Sequence, residues 1–209
     1  MPRTGLTAEE LKRRAVEIAH ERITALGYEK LRVTDVAAEL GISHAALYGH
    51  FSDKADLLDA VVRHWLACTA QELERITACT DGADPATGAA RLEAWLLGRL
   101  RLKRATARRD PHLYEAYCAA TIRLRPVVQV YLDRTLHHLA RLLRDAVPGL
   151  TEEEAMTAGD MLRSAMAAYS YPQLVIDYLD TPDAQMEAQL RDMLDCLLRG
   201  LRARVAERG

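Results

Sequence analysis

Apolar residues recur three and four positions apart along nearly the whole chain, the period of helices with one face turned inward. No convincing run alternates in the two-residue period of a strand. Polar caps mark where the helices start. Thr7 and Glu10 form a T-x-x-E box, in which each side chain satisfies an amide that the helix start leaves free. The helix it opens is expected to run to about Leu26 and stop at Gly27, which tolerates a left-handed conformation. Shorter segments follow over Thr34 to Leu40 and Ser43 to about His50, with a turn at Gly41, and Asp53 opens a fourth, long helix. Asp84-Pro85, Asp110-Pro111 and Thr181-Pro182 each pair a capping side chain with proline at the first helical position. Thr151 and Glu154 repeat the capping box, and Pro126, Pro148-Gly149 and Pro172 punctuate the remainder. The expectation is an all-α chain of about nine helices joined by short loops.

The stretch GISHAALYGHF, residues 41 to 51, holds the only phenylalanine of a chain with 5% aromatic residues. Two short helices around a glycine turn predict a helix-turn-helix. Val36, Ala37, Leu40, Ile42 and Leu47 have inward spacing, Ala37 is small where two helices approach, and Phe51 turns back to the core. Ser43 caps the second helix. That places His44, Ala45 and Ala46 first in reach of base edges, with Tyr48 and His50 further along, where they can meet phosphate. The bland alternative is that Tyr48 and His50 are surface residues of a structural helix.

Residues 7 to 65, above all LRVTDVAAELGISHAALYGHFSDKADLLDAV, resemble the DNA-binding domain of the tetracycline-repressor-like (TetR) family. Val33, Asp35, Val36, Ala37, Gly41, Ile42, Ser43, Leu47, Tyr48, His50, Phe51, Lys54, Leu57 and Leu58 meet the family's pattern without a gap. The resemblance covers little more than a quarter of the chain. It implies a three-helix DNA-binding domain over residues 1–52 and a helical effector-binding and dimerisation domain over residues 53–209. It also implies a homodimeric transcription regulator of double-stranded operator DNA, usually a repressor released by a small molecule. Thr34, Tyr48, His50 and Lys54 match phosphate-holding positions of the family, and Ser43, His44, Ala45 and Ala46 match base-reading ones. The recognition segment departs from richer members in having no Arg, Asn or Gln for a bidentate base contact, so shape and deformability are expected to share the readout. Lys30 and Arg32 stand just before the second helix, where they could also approach the backbone or a groove.

Beyond Trp65 no motif is as specific. Met186, Leu190, Met193, Leu194, Leu197, Leu198 and Leu201 form an apolar stripe on a last helix from Pro182 to about Val205. Met161, Leu162, Ala165, Met166 and Tyr169 form another. The family resemblance implies a dimer interface made of Met161, Ala165, Met186, Leu190, Met193, Leu194, Leu197 and Leu201; an internal core is the alternative. Trp65, Trp95, Tyr114, Tyr117, Tyr131 and Tyr169, with Tyr171 and Tyr178, suit either a pocket for a mostly apolar effector or a filled core. The basic run RLRLKRATARRD, residues 99 to 110, reads first as a solvated helix face and second as an anionic-effector lid or phosphate contact. His137 and His138 diverge by about 100° on a helix and make a weak metal clue.

Composition trims this picture. Net charge is −2, and residues 1 to 60 carry 8 basic against 10 acidic residues, so bulk charge does not advertise nucleic acid. Yet no acid lies between Glu39 and Asp53, and Arg3, Lys12, Arg13 and Arg14 cluster near the start. Cys68, Cys79, Cys118 and Cys196 lack C-x-x-C spacing and read as small buried hydrophobes, with a metal or redox sensor as the alternative. The N-terminus has no apolar signal core, and no run of about eighteen uncharged apolar residues exists, so a cytoplasmic protein without membrane contact is the expectation. No repeated E-x-x-H pair, glycine phosphate loop or nucleophile elbow supports an enzyme, and no catalytic residue, cofactor or metal is expected. A constitutive DNA-binding protein without an effector remains the competing reading.

Overall fold

The computed structural model describes residues 5–78, 85–123 and 125–208. Arg3, Cys79 and the Asp84 cap lie outside them. Eleven α-helices occur among the described residues: α1 (Ala8–Leu26), α2 (Val33–Glu39), α3 (His44–Tyr48), α4 (Lys54–Ala78), α5 (Pro85–Arg109), α6 (Pro111–Ile122), α7 (Pro126–Ala146), α8 (Glu152–Ala165), α9 (Ala167–Ser170), α10 (Pro172–Asp177) and α11 (Asp183–Ala206). The fold is all-α. The two short helices α9 and α10, of four and six residues, exceed the expected nine because so short a turn leaves no periodicity to read.

Two compact units divide the chain, residues 1–68 with 109–129 and residues 69–108 with 130–209. In the first, α1 starts at the Thr7–Glu10 box and packs against α2 and α6. Its inward residues Leu11, Ala15, Ile18, Ala19 and Ile23 are all buried. Asp110 caps α6 by accepting from the Leu113 amide at 3.0 Å, and its other oxygen accepts from the Thr24 hydroxyl at 2.6 Å. The His112 ring bonds the Thr24 carbonyl at 3.0 Å, so the end of α1 is tied to the start of α6 twice.

The turn between α2 and α3 is built by backbone bonds. The Ile42 amide donates to Ala37 O at 3.0 Å and the Gly41 amide to Ala38 O at 3.1 Å. This paired closure needs a left-handed residue, and Gly41 supplies it at φ 68°. Val36, Ala37, Ile42, Leu47 and Phe51 are buried behind it, while Leu40 is half-buried at the helix end.

In the second unit Leu92, Leu96 and Leu100 of α5, Leu139 and Leu143 of α7, Leu162 of α8 and Leu190, Leu194 and Leu198 of α11 share one core. α5 and α7 come together at Gly88, where a Cβ would overlap the Asp145 carbonyl. The Thr151–Glu154 box starts α8. Thr181-Pro182 does not start α11 as its sequence predicts: Pro182 is extended at ψ 136° and helix begins at Asp183. The reason lies in α5. Arg104, almost wholly buried, donates to the carbonyls of Tyr178, Leu179 and Thr181 and to the Asp183 carboxylate, which anchors the turn over residues 178–181 directly ahead of the helix.

Candidate nucleic-acid interface and effector region

α3 is five residues long, too short to stand without a cap and a core contact. Ser43 provides the cap, accepting from the Ala46 amide at 3.1 Å, and Leu47 provides the contact. With Leu47 pinned inward, Ser43, His44, Ala45 and Tyr48 are exposed, and Ala46 and His50 are half-buried. The Tyr48 residue is 41% exposed, and the His44 ring stands edge-on to its ring at 4.4 Å between centroids. Thr34 is exposed on the first turn of α2. Lys54 is engaged within the fold, its Nζ donating to the Glu29 carbonyl at 2.8 Å. A phosphate there would have to replace or share that bond.

Arginines answer some of the acids of this unit. Arg22 bonds Asp35 at 3.4 Å and Glu39 at 3.0 Å, Arg13 bonds Glu17 at 2.5 Å, and Arg125 bonds Asp59 at 2.7 Å. The stretch presented by α3 is itself free of acids, and the two nearest carboxylates of α2, Asp35 and Glu39, share the Arg22 guanidinium.

The six candidate effector aromatics fall into separate groups. Trp65, Tyr114 and Tyr117 form a triangle in the first unit, with centroids 4.7 to 6.1 Å apart. Trp95 and Tyr131 lie in the second unit around Arg99, whose guanidinium carbon is 5.4 and 5.3 Å from their ring centroids. Tyr169 packs half-buried on the second core, and burial raises its hydroxyl pKa. Tyr171 and Tyr178 are exposed.

The run from 99 to 110 is not a solvated face throughout. Arg99, Lys103 and Arg104 are 5%, 1% and 1% exposed. Lys103 donates to the Ser170 carbonyl. Spacing carries the signal for this: residues 92, 96, 99, 100 and 103 fall on the inward stripe of α5, and positive charge does not take Arg99 and Lys103 off it. His137 and His138 go separate ways, the first to the Asp133 carbonyl at 2.8 Å and the second to Arg141 at 2.7 Å. No three His, Cys, Asp or Glu side chains among the described residues could hold a metal ion. Of the cysteines, Cys118 is buried, whereas Cys68 and Cys196 are exposed and depart from the buried expectation.

The stripe of α11 divides in two. Met186, Leu190, Leu194 and Leu201 are 1 to 7% exposed and face the subunit's own core, so they have little surface left to offer a second copy. Met193 and Leu197 are half-buried, and Met161 and Ala165 of α8 are exposed. A cleft of about 290 Å³ runs between α8 and α11, lined by Thr157, Met161, Cys196, Leu197, Gly200 and Leu201 among others. Periodicity locates the inward face, but it cannot separate residues that fill a core from those beside it. No helix among the described residues is long and apolar enough to cross a membrane.

A short capped helix held up by a three-helix core, joined to a second helical unit, is the arrangement of a helix-turn-helix regulator. Comparison with known proteins narrows the class. Residues 16–61 match the family of bacterial regulatory proteins, tetR family, and residues 88–194, just over half of the chain, match the tetracyclin repressor-like C-terminal domain. The chain belongs to the TetR family of transcriptional regulators, a family of regulators and not of enzymes. It is 41% identical over 56 residues to a helix-turn-helix-type transcriptional regulator of Staphylococcus aureus (strain USA300). That match spans 27% of this chain and about 30% of the length of the relative. A protein of Pseudomonas aeruginosa PAO1 described as a transcriptional regulator has the same fold, with TM-score 0.63 and 19% identity over 99% of this chain and 97% of that one. A protein from Saccharomonospora viridis, solved in complex with choline, has TM-score 0.57 and 20% identity over 90% of this chain and 96% of that one.

Proposed function

We propose that the protein is a cytoplasmic, DNA-binding transcriptional regulator that binds a palindromic operator as a homodimer. It acts as a repressor that a small, mostly apolar effector releases. The observation that carries the reading is the presentation of Ser43, His44, Ala45 and Tyr48 on one open side of α3, beside the exposed Thr34. Thr34, Tyr48, His50 and Lys54 hold phosphate, and Ser43, His44, Ala45 and Ala46 face base edges. Residues 1–52 read DNA, and residues 53–209 bind effector and pair the subunits. Pairing is supported by the cleft of α8 and α11, with Met161, Ala165, Met193 and Leu197 as the apolar positions still open to a second copy.

Release works by population shift: an effector that prefers a conformation with wrongly spaced reading heads lowers operator affinity by its differential affinity for the two states. A coupling of about 3 kcal/mol corresponds to roughly 150-fold. The close packing of Tyr114, Tyr117 and Trp95 favours a second reading, a constitutive regulator in which these rings are core. The first reading is tested by selecting bound duplexes from a random pool at moderate salt. A palindrome with half-sites about 34–36 Å apart, or a multiple, is expected. Weak binding with no enriched sequence overturns it.

A further inference from the structure

Arg99 is 5% exposed, yet its one hydrogen bond among the described residues is to the Tyr131 hydroxyl at 2.8 Å. It has no carboxylate partner there, in contrast to Arg101, Arg104 and Arg108 on the same helix, which pair with Glu187 or Asp183. A guanidinium carries five N–H donors, and a buried charge is ordinarily paired. Here an aromatic pair, Trp95 and Tyr131, supports the cation from ring centroids 5.4 and 5.3 Å away.

A second donor lies on the same indole. The His138 ring is 5.3 Å from the Trp95 ring, and its Nε2 is buried with no partner. Its Nδ1 faces Arg141 Nη2 at 2.7 Å. Arginine can only donate, so Nδ1 accepts, and the proton of the neutral ring stands on Nε2. Burial first, and Arg141 next, hold the imidazole pKa below its ordinary value, against the opposing pull of Glu74 and Asp145. The Trp95 neighbourhood thus holds an unpaired cation and an unused N–H donor, and its missing complement is an acceptor with negative charge.

We propose that Trp95, Arg99 and His138 form the head-group end of an effector site that takes an organic carboxylate with an apolar body. The inference rests on the effector-binding reading of this unit and names the ligand class. The same geometry disfavours a quaternary ammonium, because Arg99 already takes the cation's place against the rings. A carboxylate could accept two parallel bonds from the guanidinium, which a neutral amide of the same shape cannot match.

The test uses the full chain carrying 5-fluorotryptophan. Its two tryptophans give two fluorine resonances, and Trp95→Phe assigns one of them. Decanoate, decanamide and decyltrimethylammonium are titrated below their micellar concentrations, with benzoate and benzamide as an aromatic pair. At least one carboxylate should shift the Trp95 resonance saturably and bind about tenfold or more tightly than its amide. Arg99→Met should remove that preference without lowering the melting temperature, because it withdraws an unpaired buried charge. Arg99→Lys keeps the charge in a folded chain and should retain part of the preference. The inference is overturned if amide or ammonium binds as well as carboxylate, if the preference survives Arg99→Met, or if neither carboxylate gives a saturable shift. Duplex selection is read independently, so an operator found beside an unresponsive Trp95 rejects the carboxylate site and leaves the DNA-binding reading standing.

Discussion

Replacing Arg104 with methionine keeps an unbranched side chain of similar length while withdrawing every donor from the clamp ahead of α11. In the native chain this guanidinium bonds Asp183 at 2.5 Å and the carbonyls of Tyr178, Leu179 and Thr181 at 2.8, 3.2 and 2.5 Å. Each bond to a charged donor contributes about 1.5–3 kcal/mol net when taken alone. Four such bonds cannot simply be summed, because methionine also relieves the desolvation of a side chain that is 2% exposed, and Asp183 keeps Arg108 at 2.9 Å. Asp183 is half-exposed and keeps Arg108, so the loss comes chiefly from the carbonyls left without a donor, at about 1–3 kcal/mol for a buried group left unmet, and about 3 kcal/mol is expected for the set. For a chain of this size that is a fall of roughly 6–12 °C in melting temperature. Thermal unfolding followed by far-ultraviolet circular dichroism reads it directly. Arg104→Lys should recover less than half of the loss, since one ammonium cannot span three carbonyls and a carboxylate. A fall of less than about 3 °C for Arg104→Met would refute the reasoning and show the turn ahead of α11 to be held by its own packing.

Three further outcomes are expected. The carboxyl of Asp183 is held at about 2 by Arg108 first and by Arg104, below its ordinary 3.8, so its stabilisation is complete above about pH 4 and disappears as pH falls toward 2. Since its side chain is 52% exposed, the contribution is discounted to about 1 kcal/mol, and the melting difference between the parent and Asp183→Asn should close over that window; a gap still open at pH 2 rejects the assignment. Gly41→Ala, at φ 68°, should cost about 1 kcal/mol in thermal stability and weaken DNA binding, and an unchanged melting curve would show that the turn adapts. Tyr48→Phe should weaken binding to all duplexes alike, whereas His44→Ala should alter preference among operator variants by roughly 1 kcal/mol, measured by competition binding. Equal losses on every variant for both would make His44 a backbone contact.

Elements whose ends are decided within one turn of chain were legible in the sequence. Thr7 with Glu10, Thr151 with Glu154, and Asp110 before Pro111 cap helices as their spacing predicts, because donor and acceptor sit three residues apart whatever surrounds them. The same locality made α3 readable, since Ser43, Gly41 and Leu47 settle its cap, its turn and its buried side between them. The start of α11 escaped this logic. Its decisive partner, Arg104, lies 77 residues away from the Thr181 carbonyl it binds.

By itself, the sequence determined the helical period, the caps and the outward set of residues on α3, all consequences of short-range geometry. Tertiary structure alone decided which charges are buried and which apolar positions are already covered. Spacing places Arg99 and Arg101 on one helix, yet only packing leaves the first enclosed by Trp95 and Tyr131 and the second exposed beside Glu187. Spacing likewise lines Leu190, Leu194 and Leu197 along one stripe, yet the first two fill the subunit's own core and the third borders the open cleft. The physical reason is common to both cases. A period states which residues share a face, but burial and electrostatics depend on what arrives opposite that face from distant parts of the chain.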